Sequence, residues 1–201
     1  MPTQKRVVTV HGKARVFDGV FKVDEYDVSH SKLSAPGMIE HAHRLVFERG
    51  DSAAALLHVV DRDVIVLTEQ FRMATNAKGP GWMVETLAGS IEEGETAEAC
   101  IRREVMEEVG YRTGLIEPIA RFYVSPGGTS ERIFLFYAPV SSDMLADPSA
   151  TGVAGAKEDV RRIEVPRTEF MKDCLAGNYE DAKTLIAGLW LAQQKRPKTG
   201  K

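Results

Sequence analysis

Along the first fifty positions, apolar and branched residues alternate with polar ones in the manner of strands. Val7–Val10 and Arg15–Val23 carry β-formers, broken by His11-Gly12 and by Asp18-Gly19, the second a hairpin signal. Ser31–Gly37 reads as a loop and Ala42–Glu48 as a further strand, ending at Arg49-Gly50-Asp51. Residues 1–48 are therefore expected to form a β-rich N-terminal subdomain and 49–201 the main domain. Ala53–Val60 and Asp63–Thr68, turned by Asp61-Arg62, are apolar on both faces, as strands covered on two sides are. Met73–Gly81 reads as a loop and Trp82–Leu87 as a strand. Thr96–Val109 has helical periodicity, and Gly110 is placed to stop it. Ile116–Val124 and Arg132–Val140 are expected strands around Ser125–Glu131, followed by a long small-residue and acidic loop, Ser141–Lys157, and a last strand, Val160–Val165. Arg167–Ala176 and Tyr179–Gln194 are expected helices, with Leu185, Ile186, Leu189 and Trp190 on one face of the second. The irregular alternation predicts an α/β sandwich around a mixed sheet.

Composition narrows the class. With 43 % hydrophobic and 27 % charged residues, the chain has globular composition. Its 26 basic and 29 acidic residues give a net charge of −3, which argues against nucleic-acid backbone binding. Two cysteines, Cys100 and Cys174, are too few for a disulfide framework or a Cys-rich zinc site, so a reducing, cytoplasmic setting is expected. The opening residues do not read as a signal peptide, and no apolar run approaches the roughly twenty residues that span a bilayer.

The chemistry concentrates in one segment. Gly89–Tyr111 holds Glu92, Glu93, Glu95, Glu98, Glu104, Glu107 and Glu108. At about 100° per residue, Glu104 and Glu108 lie roughly 40° apart on a helix, and Glu107 roughly 60° to the other side of Glu104. Like charges so close destabilise a helix unless something neutralises them. Glu108 also projects over the apolar stripe of Ala97, Ile101, Val105 and Val109, where a carboxylate is costly unless paired or coordinated. A hard cation such as Mg²⁺ would meet both needs. Arg103 can pair with Glu107 by i,i+4 spacing or with Glu95 in the preceding loop. The bland alternative is a solvated acidic face.

The spacing favours the first reading. Gly89, Glu95 and Arg103-Glu104-Val105-Met106-Glu107-Glu108-Val109-Gly110-Tyr111 resemble the Nudix box, with Tyr111 in place of the commoner aliphatic residue. The resemblance implies a Nudix α/β/α sandwich and hydrolysis of a nucleoside diphosphate linked to another moiety. It implies Mg²⁺, with Mn²⁺ as a possible substitute, held by Glu104, Glu107, Glu108 and the backbone carbonyl of Ala88. It also implies that Glu95 and Arg103 brace loop against helix, with Glu107 and Glu108 at the catalytic edge.

Other segments speak to the substrate. Ser125-Pro-Gly-Gly-Thr-Ser-Glu131, with Pro126 fifteen positions after Tyr111, resembles the ADP-ribose pyrophosphatase subgroup. Pro126-Gly127 alone also reads as a type II turn. Glu69-Gln-Phe-Arg72 resembles the same subgroup, which implies that Arg72 grips the diphosphate. Glu85 would sit near the metal edge or serve as a buried ion-pair partner. The pattern from Lys157 to Leu191, including Gly177-Asn-Tyr-Glu-Asp-Ala-Lys183, extends the resemblance over roughly residues 42–194. In such relatives the N-terminal extension pairs two subunits, so a homodimer is implied, with Arg44 the candidate on the nucleobase side. Two positions depart from the pattern. Leu45 stands where adenine-recognising relatives can carry an acidic residue, and Ala156 where they place a catalytic glutamate, leaving Glu158 as the candidate base. The expected reaction is cleavage of ADP-ribose to AMP and ribose 5-phosphate. GDP-mannose or another nucleotide sugar is the alternative, and a non-catalytic ligand sensor a remote one. His41-Ala-His43 reads as ordinary strand histidines and Cys100 as a packing residue.

Overall fold

A computed structural model of the chain describes residues 6–150 and 159–194. The chain divides into two compact units, one comprising residues up to Gly50 with Tyr123–Glu131, the other Asp51–Phe122 with the segment from Arg132 onward.

The first unit is an antiparallel sheet of β1 (Val8–Asp18), β2 (Lys22–Ser31) and β3 (Met38–Glu48), in that order. His11-Gly12 does not break β1 as the sequence suggests. The register shifts between Val10 and Gly12, so the extra residue is absorbed as a bulge and the strand continues. A second shift lies between Val28 and His30, beside His41 at φ 49°. Ser29 ties the two irregularities together: its hydroxyl lies 2.7 Å from His11 Nε2 and accepts the His41 amide at 3.1 Å. β3 starts at Met38, earlier than Ala42, because its pairing with β2 runs back to Ser31. Asp24 is buried in β2 between Arg15 and Lys13, which hold its carboxyl down to about 2.

Tyr123–Glu131 joins this unit through the end of β3. The Phe47 amide donates to the Gly128 carbonyl at 2.8 Å, and the Ser130 amide to the Phe47 carbonyl at 3.3 Å. Ser130 Oγ donates to Glu48 Oε2 at 2.5 Å, and Arg49 pairs with Glu131 at 3.6 Å.

The second unit is a mixed sheet with helices on both faces. Its strands are β4 (Ser52–Val59), β5 (Val64–Phe71), β6 (Trp82–Glu85), β7 (Leu87–Ser90), β8 (Glu117–Tyr123), β9 (Arg132–Val140) and β10 (Arg161–Pro166). The order is β10-β5-β4-β9-β8, with β4 parallel to β9. Every residue of β4 is buried. Period-2 alternation sends Ala53, Ala55, Leu57 and Val59 to one core with Ile101, Val105 and Val109 of α2 (Ala97–Val109). Ala54 and Leu56 go to the other core, with Phe170 and Cys174 of α3 (Arg167–Ala176) and Ala187 and Leu191 of α4 (Ala182–Gln193). This is the expected α/β/α layering.

Three local differences from the sequence reading have clear causes. The expected loop after Arg72 contains a single helical turn, α1 (Met73–Asn76). The strand expected over Trp82–Leu87 is split at Thr86, because β6 pairs with β5 while β7 pairs with β4 and the chain steps between them. α4 starts only at Ala182, capped by Asp181, and it buries Thr184, Ala187, Gly188 and Leu191 rather than centring on Leu185 and Leu189. A Cβ at Gly188 would stand 2.1 Å from Cys174 Sγ, so the small-residue face is what lets α3 and α4 close together.

Candidate functional site

The acidic helix is built as its caps dictate. Thr96 Oγ1 accepts the Ala99 amide at 3.1 Å, and Gly110 ends the helix at φ 76°. A side chain at Gly110 would also strike the Asp147 carbonyl at 1.7 Å.

Arg103 is the hub of the carboxylate edge. It holds Glu95 with two nitrogens, Nε to Oε1 and Nη2 to Oε2, both at 3.1 Å. Nη1 donates to Glu104 Oε1 at 2.7 Å and to Glu107 Oε2 at 3.3 Å, while Nη2 also reaches the Ser90 carbonyl at 3.3 Å. Both partners proposed from spacing, Glu95 and Glu107, are therefore engaged at once. The guanidinium holds the Glu95 carboxyl below its usual range, and Glu95 Oε2 accepts the Glu92 amide to fix the loop. Glu108 is only 6 % exposed, on the apolar side of the helix where the periodicity puts it.

Gly89, beside Ala88 on β7, completes the edge. A Cβ there would lie 1.8 Å from Glu104 Oε1, so the Glu104 carboxylate fills the space that a side chain would need. Cys100 sits behind this contact with Sγ at 3.4 Å from the Ser90 carbonyl, its thiol pushed up to about 12 by burial.

All the donors here are oxygens: Glu104, Glu107, Glu108 and the Ala88 carbonyl. That is the chemistry of a Mg²⁺ or Mn²⁺ site, and the Gly89 cradle brings a carboxylate against the strand that carries Ala88. Among the described residues, no three His, Cys, Asp or Glu side chains are gathered closely enough to hold an ion as they stand. Arg103 supplies the positive charge that Glu104 and Glu107 share.

Arg72 and Glu85 form a second cluster. Arg72 follows β5, and its Nε donates to Glu85 Oε1 at 2.7 Å. Glu85 is buried between Arg72 and Lys183, whose Nζ reaches Glu85 Oε2 at 3.0 Å and Asp181 Oδ1 at 2.6 Å. Glu85 thus has partners for the ion pair that the sequence allowed it. Burial works to lower the Lys183 ammonium, but the two carboxylates outweigh it and its pKa stands above the ordinary value. Sequence reading did not single out Lys183. Only the observed start of α4 at Ala182 puts Lys183 in the first helical turn, where the dipole disfavours a cation and a partner is needed.

Arg44, Pro126 and Gly127 belong to the other unit. Arg44 is exposed on β3 and donates to its neighbour's carbonyl, that of His43, at 2.8 Å. Around Pro126-Gly127 the Ser125 carbonyl accepts the amides of Gly128 and Thr129, both at 3.0 Å. Gly127 does not have a positive φ, so the turn is not type II. Ala156 and Glu158 lie outside the described residues. His41 pairs with Asp27 and stacks on His11, with ring centroids 4.5 Å apart.

The family described as NUDIX domain matches residues 49–185, more than half of the chain and the whole of this acidic site. The chain belongs to the Nudix family. Among its Nudix relatives, the ADP-ribose pyrophosphatase of Escherichia coli (strain K12) is 35 % identical over 188 residues, covering 93 % of this chain and 88 % of that protein. The GDP-mannose pyrophosphatase of Citrobacter koseri is 37 % identical over 162 residues, covering 80 % and 83 %. A crystal structure described as that of an ADP compounds hydrolase aligns with a TM-score of 0.69 at 18 % identity, covering 96 % of this chain and 95 % of that one, a likeness of fold. The names of these two relatives differ in both sugar and base.

Proposed function

We propose that the protein is a Mg²⁺-dependent Nudix pyrophosphatase that hydrolyses ADP-ribose to AMP and ribose 5-phosphate. The carrying observation is the complete box with its Arg103 hub, in a chain 35 % identical to an ADP-ribose pyrophosphatase over 93 % of its length. Glu104, Glu107, Glu108 and the Ala88 carbonyl would hold the metal, which when bound offsets charge on the diphosphate and acidifies water. Mn²⁺ fits the same oxygen set. Arg72 offers a permanently charged fork to the diphosphate. Pro126 and Gly127 shape the substrate loop, and Arg44 is the candidate for the nucleobase side. Water attacks one phosphorus of the anhydride, the P–O bond to the leaving phosphate breaks, and each product leaves as a monoester. Glu158 is the residue to test as base for that water.

The same reading includes a homodimer assembled through residues 1–48. Val8, Val10, Phe17 and Leu45 are exposed apolar residues of the N-terminal sheet, Val8 and Val10 on one face and Phe17 and Leu45 on the other by register, and apolar exposure on this sheet supports pairing with a second copy. A reducing cytoplasmic setting suits two free thiols, both buried. Among the described residues, no helix is long and apolar enough to cross a membrane.

Product analysis with purified protein, Mg²⁺ and a substrate panel tests this. AMP and ribose 5-phosphate formed faster from ADP-ribose than products from other nucleotide sugars would support it. Faster turnover of GDP-mannose, the reading favoured by the Citrobacter koseri relative, would replace the substrate and keep the site.

A further inference from the structure

The Arg72–Glu85 pair is incomplete, and the reason lies in α4. Arg72 spends only Nε on Glu85; among the described residues no hydrogen bond engages its two terminal nitrogens, and 41 % of its side chain is exposed. An arginine beside a buried carboxylate ordinarily closes on both oxygens as a two-pronged pair. Here the second oxygen, Oε2, is taken by Lys183 at 3.0 Å. Lys183 has little exposure of its own, 15 % of its side chain against 6 % for Glu85, so neither charge could stand there alone without a large desolvation cost.

The lysine is itself held in place. Its Nζ also binds Asp181 Oδ1 at 2.6 Å, and Asp181 Oδ2 caps α4 by accepting the Thr184 amide at 2.9 Å and the Thr184 hydroxyl at 2.6 Å. Thr184 Oγ1 accepts the Thr86 amide at 2.8 Å. One helical turn therefore fixes both residues at the step between β6 and β7, two positions ahead of Ala88.

We infer that Lys183 is a positioning residue for substrate binding: by occupying Glu85 Oε2 it prevents Glu85 from closing on both prongs of Arg72, and so leaves the guanidinium fork open for a pyrophosphate group. The inference rests on the reading of Arg72 as the diphosphate ligand. Without Lys183, the Glu85 carboxylate would turn both oxygens to Arg72 and compete with the incoming anion.

The test is a binding cycle on the full chain with inorganic pyrophosphate as probe, in EDTA, by calorimetry. Lys183→Met is expected to weaken pyrophosphate binding about tenfold or more, the scale of one charge-assisted hydrogen bond. In an Glu85→Gln background, where no carboxylate remains to capture the fork, the same change should cost less than about threefold. With ADP-ribose, the larger change should fall on KM rather than kcat. Should Lys183→Met fail to fold, Lys183→Gln keeps a donor to Glu85 and is expected to show a smaller loss in the same direction. Unchanged affinity in the folded lysine variants, an equal loss with and without Glu85, or unchanged affinity in Arg72→Ala would overturn the inference. Pyrophosphate binding that follows this pattern in a protein inert toward ADP-ribose would sink the substrate reading alone.

Discussion

The carboxylate of Glu104 stands where the side chain of residue 89 would be, 1.8 Å from the position of a Cβ on Gly89. The strand backbone there meets the end of the Glu104 side chain. Gly89→Ala must push Glu104 off the strand, and a displacement of about 1 Å at a catalytic centre can cost about 100-fold. We expect at least that loss in Mg²⁺-dependent turnover with an unchanged circular-dichroism spectrum. Near-normal activity would mean that Glu104 works from elsewhere.

Arg103 joins Glu95, Glu104 and Glu107 through one guanidinium. Replacing it by methionine leaves those carboxylates to repel one another and loosens the loop that Glu95 ties down. Affinity for Mg²⁺, measured by titrating activity, should fall about 10–100-fold, as when a ligand loses its outer support. Glu104→Gln combined with Glu108→Gln should cost more than that, and full metal-dependent turnover in the double variant would disprove the assignment.

Cys100 and Cys174 are both buried, and burial pushes their thiols up to about 12 and about 11. At pH 8 the native protein should hold almost no thiolate and resist a thiol reagent such as dithionitrobenzoate. Two equivalents should appear on unfolding in guanidinium. A fast-reacting thiol in the native protein would contradict the packing around either residue.

Asp24 should govern the acid side of the N-terminal sheet. Hydrogen bonds from Arg15 and then Lys13 hold its carboxyl at about 2 against an unfolded value of 3.8. A depressed carboxyl stabilises fully above its unfolded value, and that contribution is lost as pH falls from about 4 through about 2. Asp24→Asn should be less stable than the parent near pH 6, with the difference shrinking toward pH 2 in thermal melts. A constant difference across that range would rule out the linkage.

Legibility from sequence followed the range of the forces involved. The acidic helix was readable because its determinants are local: Thr96 caps it, Gly110 ends it, and the Glu spacing sets its faces. The same holds for the layering, since β4 and β9 announce their burial by composition. What escaped reading depends on distant partners. His11-Gly12 looks like a break until β2 is there to absorb it as a bulge. Thr86 interrupts a plausible strand because its amide is satisfied by Thr184, 98 residues away. The buried face of α4 is set by Cys174 pressing on Gly188, and small residues carry a weak hydrophobic signal of their own. The partners of Lys183, Glu85 among them, lie as far as 98 residues away along the chain.

The attachment of Tyr123–Glu131 to the end of β3 also has a temporal side. The ladders of the three N-terminal strands run between neighbours along the chain, so they can assemble as they leave the ribosome. The segment that docks on Phe47 and Glu48 is made some eighty residues later. The sheet is therefore the receiving surface and the Pro126 segment the late arrival. A polypeptide begun at Arg49 would still encode that segment but would have lost the strand that receives it.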